Sequence, residues 1–113
     1  MLQQKSILID KGMMLSSFFP NSIFWDCDIS NFNLDNWEDR SFIIQRVLKM
    51  SYLQDDLLVK LESIFPIEEI KYYAEGSAEI VGNERIDMLC KRYNMQPSQF
   101  PNYFQNLVDF MYA

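Results

Sequence analysis

From Trp37 to Met111 the apolar residues of this chain recur at three- and four-residue intervals, and Gly, Pro and Asn cut the pattern into short pieces. That period belongs to the α-helix, and pieces of this length must bury their apolar stripes against one another. A mainly α fold is therefore expected: one small irregular bundle of about five helices. Residues 1–15 form an N-terminal arm and residues 16–113 a single helical domain.

Local signals place the helix ends. Phe18-Phe19-Pro20-Asn21 reads as a turn. Asn36 is an N-cap candidate, Asp39 takes the place of a capping-box carboxylate, and the first helix runs from Trp37 to near Met50 with Ile44, Val47 and Leu48 on its stripe. Ser51 and Gln54 form an S-x-x-Q capping box ahead of a second helix carrying Leu57, Leu58, Leu61, Ile64 and Phe65. Pro66 stops that helix and opens a third at its first position, and Gly76 closes the third as a left-handed cap. Asn83 is the N-cap candidate of a fourth helix that ends at Asn94. Phe100, Tyr103, Phe104, Leu107, Val108 and Met111 mark a fifth.

At 113 residues and 49% apolar composition, the chain can bury about 60–70% of its unfolded surface without a staple. Cys27 and Cys90 lie far apart with no companion ligands, so reduced thiols are expected rather than a zinc site or a disulfide. Asp10 and Lys11 interrupt Ile7-Leu8-Ile9 before a signal-peptide core could form, and no later segment approaches a spanning length. A cytoplasmic protein without membrane association is expected.

The absence of histidine removes the commonest general base and metal ligand. Three glycines, at 12, 76 and 82, cannot assemble a phosphate-cradling loop. Asp26 and Asp28 are the one D-x-D pair that a hard cation could use, but no further ligands accompany them. No metal, no cofactor and no enzymatic activity are expected.

Ten basic against sixteen acidic residues give a net charge of −6, which repels nucleic-acid phosphates. Asp26, Asp28, Asp35, Glu38 and Asp39 form a stretch with no base before Arg40; a solvated face is its first reading and a docking patch for a basic partner its second. Trp25 and Trp37 lie within this stretch. Structural anchoring of the indoles is the favoured expectation, with a protein-binding hot spot as its competitor. The third and fourth helices could also pair as a helix-turn-helix that reads DNA through Asn83, Arg85, Lys91 and Arg92. Asp87 and a connection longer than the usual three or four residues count against it.

Phe24-Trp25-Asp26-x-Asp28, then Trp37, then Phe42-Ile43-Ile44-x-Arg46-Val47-Leu48 resembles the signature of an uncharacterised family of small bacterial proteins. The resemblance covers about residues 18–100. Similar proteins are often encoded beside nucleotidyltransferase-like toxins of the abortive-infection class, so the resemblance implies a toxin's partner or regulator. It carries no catalytic residue. The leading expectation is a non-enzymatic interaction module, antitoxin-like or accessory, that engages a protein partner through Trp25, Asp26, Asp28, Asp35 and Trp37. A DNA-binding transcriptional regulator is the alternative.

Overall fold

The longest helix, α1 (Trp37–Lys49), organises the others. Its Ile43, Ile44, Val47 and Leu48 are fully buried, and removing each such side chain from water contributes about 1.5–3 kcal/mol. The computed structural model describes residues 19–28, 31–53 and 56–104. Among them lie α2 (Leu57–Ile64), α3 (Ile67–Ala74) and α4 (Asn83–Tyr93), with short 3-10 turns at Asn21–Phe24, Ser51–Leu53 and Pro97–Gln99. No β-strand occurs among the described residues, and the fold is mainly α. Residues 1–15, read as an arm, lie outside the described residues.

α1 packs against both α3 and α2 and carries the first two 3-10 turns. One core runs through all four helices: Leu57 and Leu61 of α2, Ile70 and Ala74 of α3, and Ile86, Leu89 and Tyr93 of α4 join the α1 stripe. Phe19, Ile23 and Phe24 close it on one side and Met95 and Phe100 on another.

Asn36 caps α1 as expected, its Oδ1 accepting from the Glu38 amide at 2.8 Å. Asp39 does not complete a capping box. Its Oδ2 accepts from the Asn33 amide at 2.8 Å and so ties the preceding loop to the helix start. Met50 closes α1 with its amide donating to the Arg46 carbonyl.

Ser51 is followed by a 3-10 turn rather than by α2. The Ser51 hydroxyl donates back to the Leu48 carbonyl at 2.9 Å, satisfying an acceptor left over at the end of α1. The chain then takes one 3-10 turn, and α2 starts only at Leu57. Gln54 lies outside the described residues.

Pro66 occupies the cap of α3 rather than its first helical position, with extended backbone (ψ 149°) and a carbonyl that accepts from the Glu69 and Ile70 amides. Gly76 is left-handed (φ 77°) but does not cap the helix. It is the third residue of a turn closed by the Ser77 amide donating to the Ala74 carbonyl, and with Glu75 at φ −64°, ψ 126° this is a type II turn. Beyond it, Ile80 is buried and the Gly76 amide donates to the Gln99 carbonyl at 2.8 Å, so the connection from α3 to α4 is pinned along its length.

Asn83 is the first residue of α4 and Gly82 its cap. The Asn83 amide grips the Phe104 backbone: Nδ2 donates to the Phe104 carbonyl, and Oδ1 accepts from the Phe104 amide at 2.9 Å. Asn94 ends α4 in the left-handed region (φ 56°, ψ 53°), as its type and place suggest. The expected fifth helix is not entered by the residues described from its range. Pro101 holds Phe100 extended (φ −112°, ψ 116°), the chain turns at Pro101-Asn102, and residues 105–113 lie outside the described set.

Candidate functional site

The acidic tryptophan stretch is built by a turn in which neighbouring aromatics point opposite ways. Phe24 is 2% exposed and sits edge-on to Phe19 and Phe32, with ring centroids 6.0 and 5.6 Å away. Phe32 continues the chain of rings to Phe42 on α1 at 5.5 Å. Trp25, the next residue after Phe24, is 76% exposed. Trp37, the first residue of α1, is 65% exposed. The indoles therefore do not anchor the fold, because Phe24 and the α1 stripe already fill the core positions beside them.

Asp26 is held by Arg46 in a two-pronged pair, Nη1 to Oδ1 at 2.7 Å and Nη2 to Oδ2 at 3.1 Å. Arg46 Nη1 also donates to the Ile23 carbonyl at 3.0 Å, and the guanidinium lies 4.8 Å from the centre of the Phe42 ring. The guanidinium beside Asp26 holds its carboxyl well below the usual carboxylate range. The half-buried Cys27 thiol donates to the same carboxylate at 3.2 Å, and burial first and that contact second push its pKa up. Such a thiol stays protonated and is a poor nucleophile. Asp26 is thus a structural group that fixes the turn on α1. In the D-x-D pair Arg46 engages both Asp26 oxygens, and among the described residues no three Cys, Asp or Glu side chains converge on a common point.

Asp28 and Asp35 are exposed, as is Glu38. The Asp35 amide donates to Asn33 Oδ1 at 2.9 Å. Trp37 and Arg46 are nine residues apart on one helix, about half a turn around its axis and about 13 Å along it. Trp25 is tied to α1 through its neighbour Asp26 and Arg46, while Trp37 is itself the first residue of that helix.

The residues considered for a DNA reader are largely engaged within the molecule. Arg92 pairs with Glu62 of α2 through Nε at 2.6 Å and Nη2 at 2.9 Å, and the buried Tyr93 hydroxyl donates to the same carboxylate at 2.6 Å. Arg85 donates to the Val81 carbonyl at 3.0 Å and stacks 4.6 Å from the Tyr52 ring centre. Asn83 holds Phe104. Lys91 remains exposed. Helix α3 packs on α1, and eight residues separate it from α4.

These partnerships were not visible in the linear sequence. Arg40 is a further case: it reaches Glu69 of α3 through Nε at 2.7 Å and Nη2 at 2.5 Å and donates to the Leu34 carbonyl at 2.8 Å. The signal that could have found the first clamp is an arginine inside the apolar run Phe42–Leu48, where a charge needs a partner, and an aspartate in the turn with no other base nearby.

Residues 19–73 match the model of a family of unknown function (DUF6922). No curated protein and no solved structure matches the chain. The matched segment begins at Phe19, the first described core residue, and takes in the Asp26–Arg46 and Arg40–Glu69 clamps whole. It stops within α3. Glu62 lies inside the matched segment while Arg92 and Tyr93, which bind it, lie outside. Among the described residues no helix is long and apolar enough to cross a membrane.

Proposed function

We propose that this chain is a non-enzymatic protein-interaction module, antitoxin-like or accessory, whose exposed tryptophans and surrounding acids engage a basic surface of a partner protein. The exposure of Trp25 and Trp37 carries the reading. An indole in water adds little to stability, yet tryptophan is over-represented among the side chains that dominate protein interfaces. Asp26 serves indirectly, by fixing the turn that presents Trp25, while Asp28 and Asp35 supply exposed negative charge. The family resemblance suggests a nucleotidyltransferase-like toxin as the partner class. Arg85 and Arg92 have intramolecular roles that weigh against the DNA-binding alternative.

The test is co-purification with the product of the adjacent gene. Trp25→Ala with Trp37→Ala is expected to weaken the complex at least tenfold, and Asp28→Lys with Asp35→Lys to weaken it further and reduce its salt dependence. Circular dichroism should show all variants folded. A complex of unchanged affinity in the double tryptophan variant would overturn this interface.

A further inference from the structure

Two open depressions, of about 300 and 390 Å³, meet at Gln45 on the outward face of α1. The first is lined by Glu38, Phe42, Arg46 and Glu79, and the second by Tyr72, Glu75 and Ser77. Together they form a trough along α1 and the start of the α3–α4 connection. Its floor is fixed: the buried Ser77 hydroxyl donates to Gln45 Oε1 at 2.5 Å, and Gln45 Nε2 donates to Ser41 at 2.9 Å. A side-chain amide held this way keeps one N–H for an incoming acceptor.

The trough's charge is one-sided. Among the described residues Arg46 is its one basic lining residue, and both ends of that guanidinium are engaged by Asp26. Against it stand Glu38, Glu75 and Glu79. Among the described residues the one ion pair of Glu79 is an exposed contact with Lys49 at 3.3 Å, and Glu38 and Glu75 have none. Tyr72, 73% exposed, stands at the rim with its ring edge-to-face on Tyr73 at 5.2 Å. An exposed aromatic face beside unpaired carboxylates attracts lysine and arginine, and a row of them suits cations spaced along a peptide.

We propose that this trough receives an extended lysine- or arginine-bearing segment of the partner protein, with Tyr72 and the three glutamates reading its cations and the Gln45 amide meeting its backbone. The proposal rests on the protein-interaction reading and adds a second contact, remote in sequence from Trp25. The probe is a fluorescein-labelled (Lys-Ser)4 peptide, followed by anisotropy at 50 mM and 300 mM NaCl, with (Glu-Ser)4 as control. The basic peptide should bind and lose at least fivefold in affinity at the higher salt. The triple variant Glu38→Lys, Glu75→Lys, Glu79→Lys should bind at least tenfold more weakly, and Tyr72→Ala about threefold. Titration of the unmodified protein should shift the Gln45 side-chain amide and Ser77 NMR signals, a readout that needs no variant to fold. Absence of binding, equal binding of the acidic peptide, no effect of the triple variant, or spermidine competing as well as the peptide would each overturn the proposal. Because the tryptophan variants are read by co-purification and the trough variants by peptide binding, either surface can fail alone.

Discussion

Single guanidinium groups decide where the irregular parts of this chain lie. Arg46 joins a carboxylate, a carbonyl and an aromatic face from three places in the sequence. Arg46→Ala should lower unfolding free energy by about 2 kcal/mol in urea titration, because the Ile23 carbonyl loses its donor and Phe42 loses its cover. Asp26→Asn should cost less, since that carboxylate is well exposed to solvent. Glu62 makes a pH-dependent counterpart. Arg92 first, and Tyr93 with it, lower its pKa from the ordinary 4.5, so the unfolded chain binds its proton more readily and stability from this group falls as pH drops below about 4.5. Tyr93 behaves oppositely: burial, then its bond to Glu62, raises its pKa from 10.0, and that stabilisation is present below about 10 and lost as pH climbs from there through the raised value. Glu62→Gln should flatten the acid limb of a stability-against-pH curve measured by thermal unfolding, while the alkaline limb persists in weakened form.

Among the secondary elements, what could be read in advance was periodic and what could not was a choice between local bonds. The four described helices follow from apolar spacing and from Asn36, Pro66 and Asn94. Asn36→Ala should cost about 1 kcal/mol by removing the bond to the Glu38 amide. Ser51 fits a capping pattern equally well on paper, but its hydroxyl donates back to the Leu48 carbonyl and α2 starts only at Leu57. The stripe from Phe100 onward has helical spacing too, yet Pro101 imposes extended geometry on Phe100 before any helix could begin there. Gly76 takes the left-handed conformation that its place after α3 suggests, but within a type II turn rather than a helix cap. Gly76→Ala should lower stability by about 1 kcal/mol through backbone strain alone, as a methyl group there meets no atom within 4 Å. The candidate site was the least legible part. Nothing linear distinguishes an indole that fills a core from one left outside it, since that depends on whether Phe24 and Ile44 have already taken the space.

For the molecule as a whole, the family-matched segment and the cooperative unit are different lengths. α4 contributes Ile86, Leu89 and Tyr93 to the common core and ties Glu62 from outside the match. A fragment ending at Tyr73 should therefore lose the sigmoidal thermal transition of the whole chain, as followed by circular dichroism. The clamps also divide the two basic residue types. All four arginines, at 40, 46, 85 and 92, bind groups elsewhere in the fold, while the lysines with described ion pairs, 49 and 60, make only loose surface contacts of 3.3 and 3.4 Å. Acylating its amines would thus strip away much of the surface positive charge and leave the architecture standing. A dicarbonyl reagent that consumes guanidinium groups would act on the same protein as a denaturant.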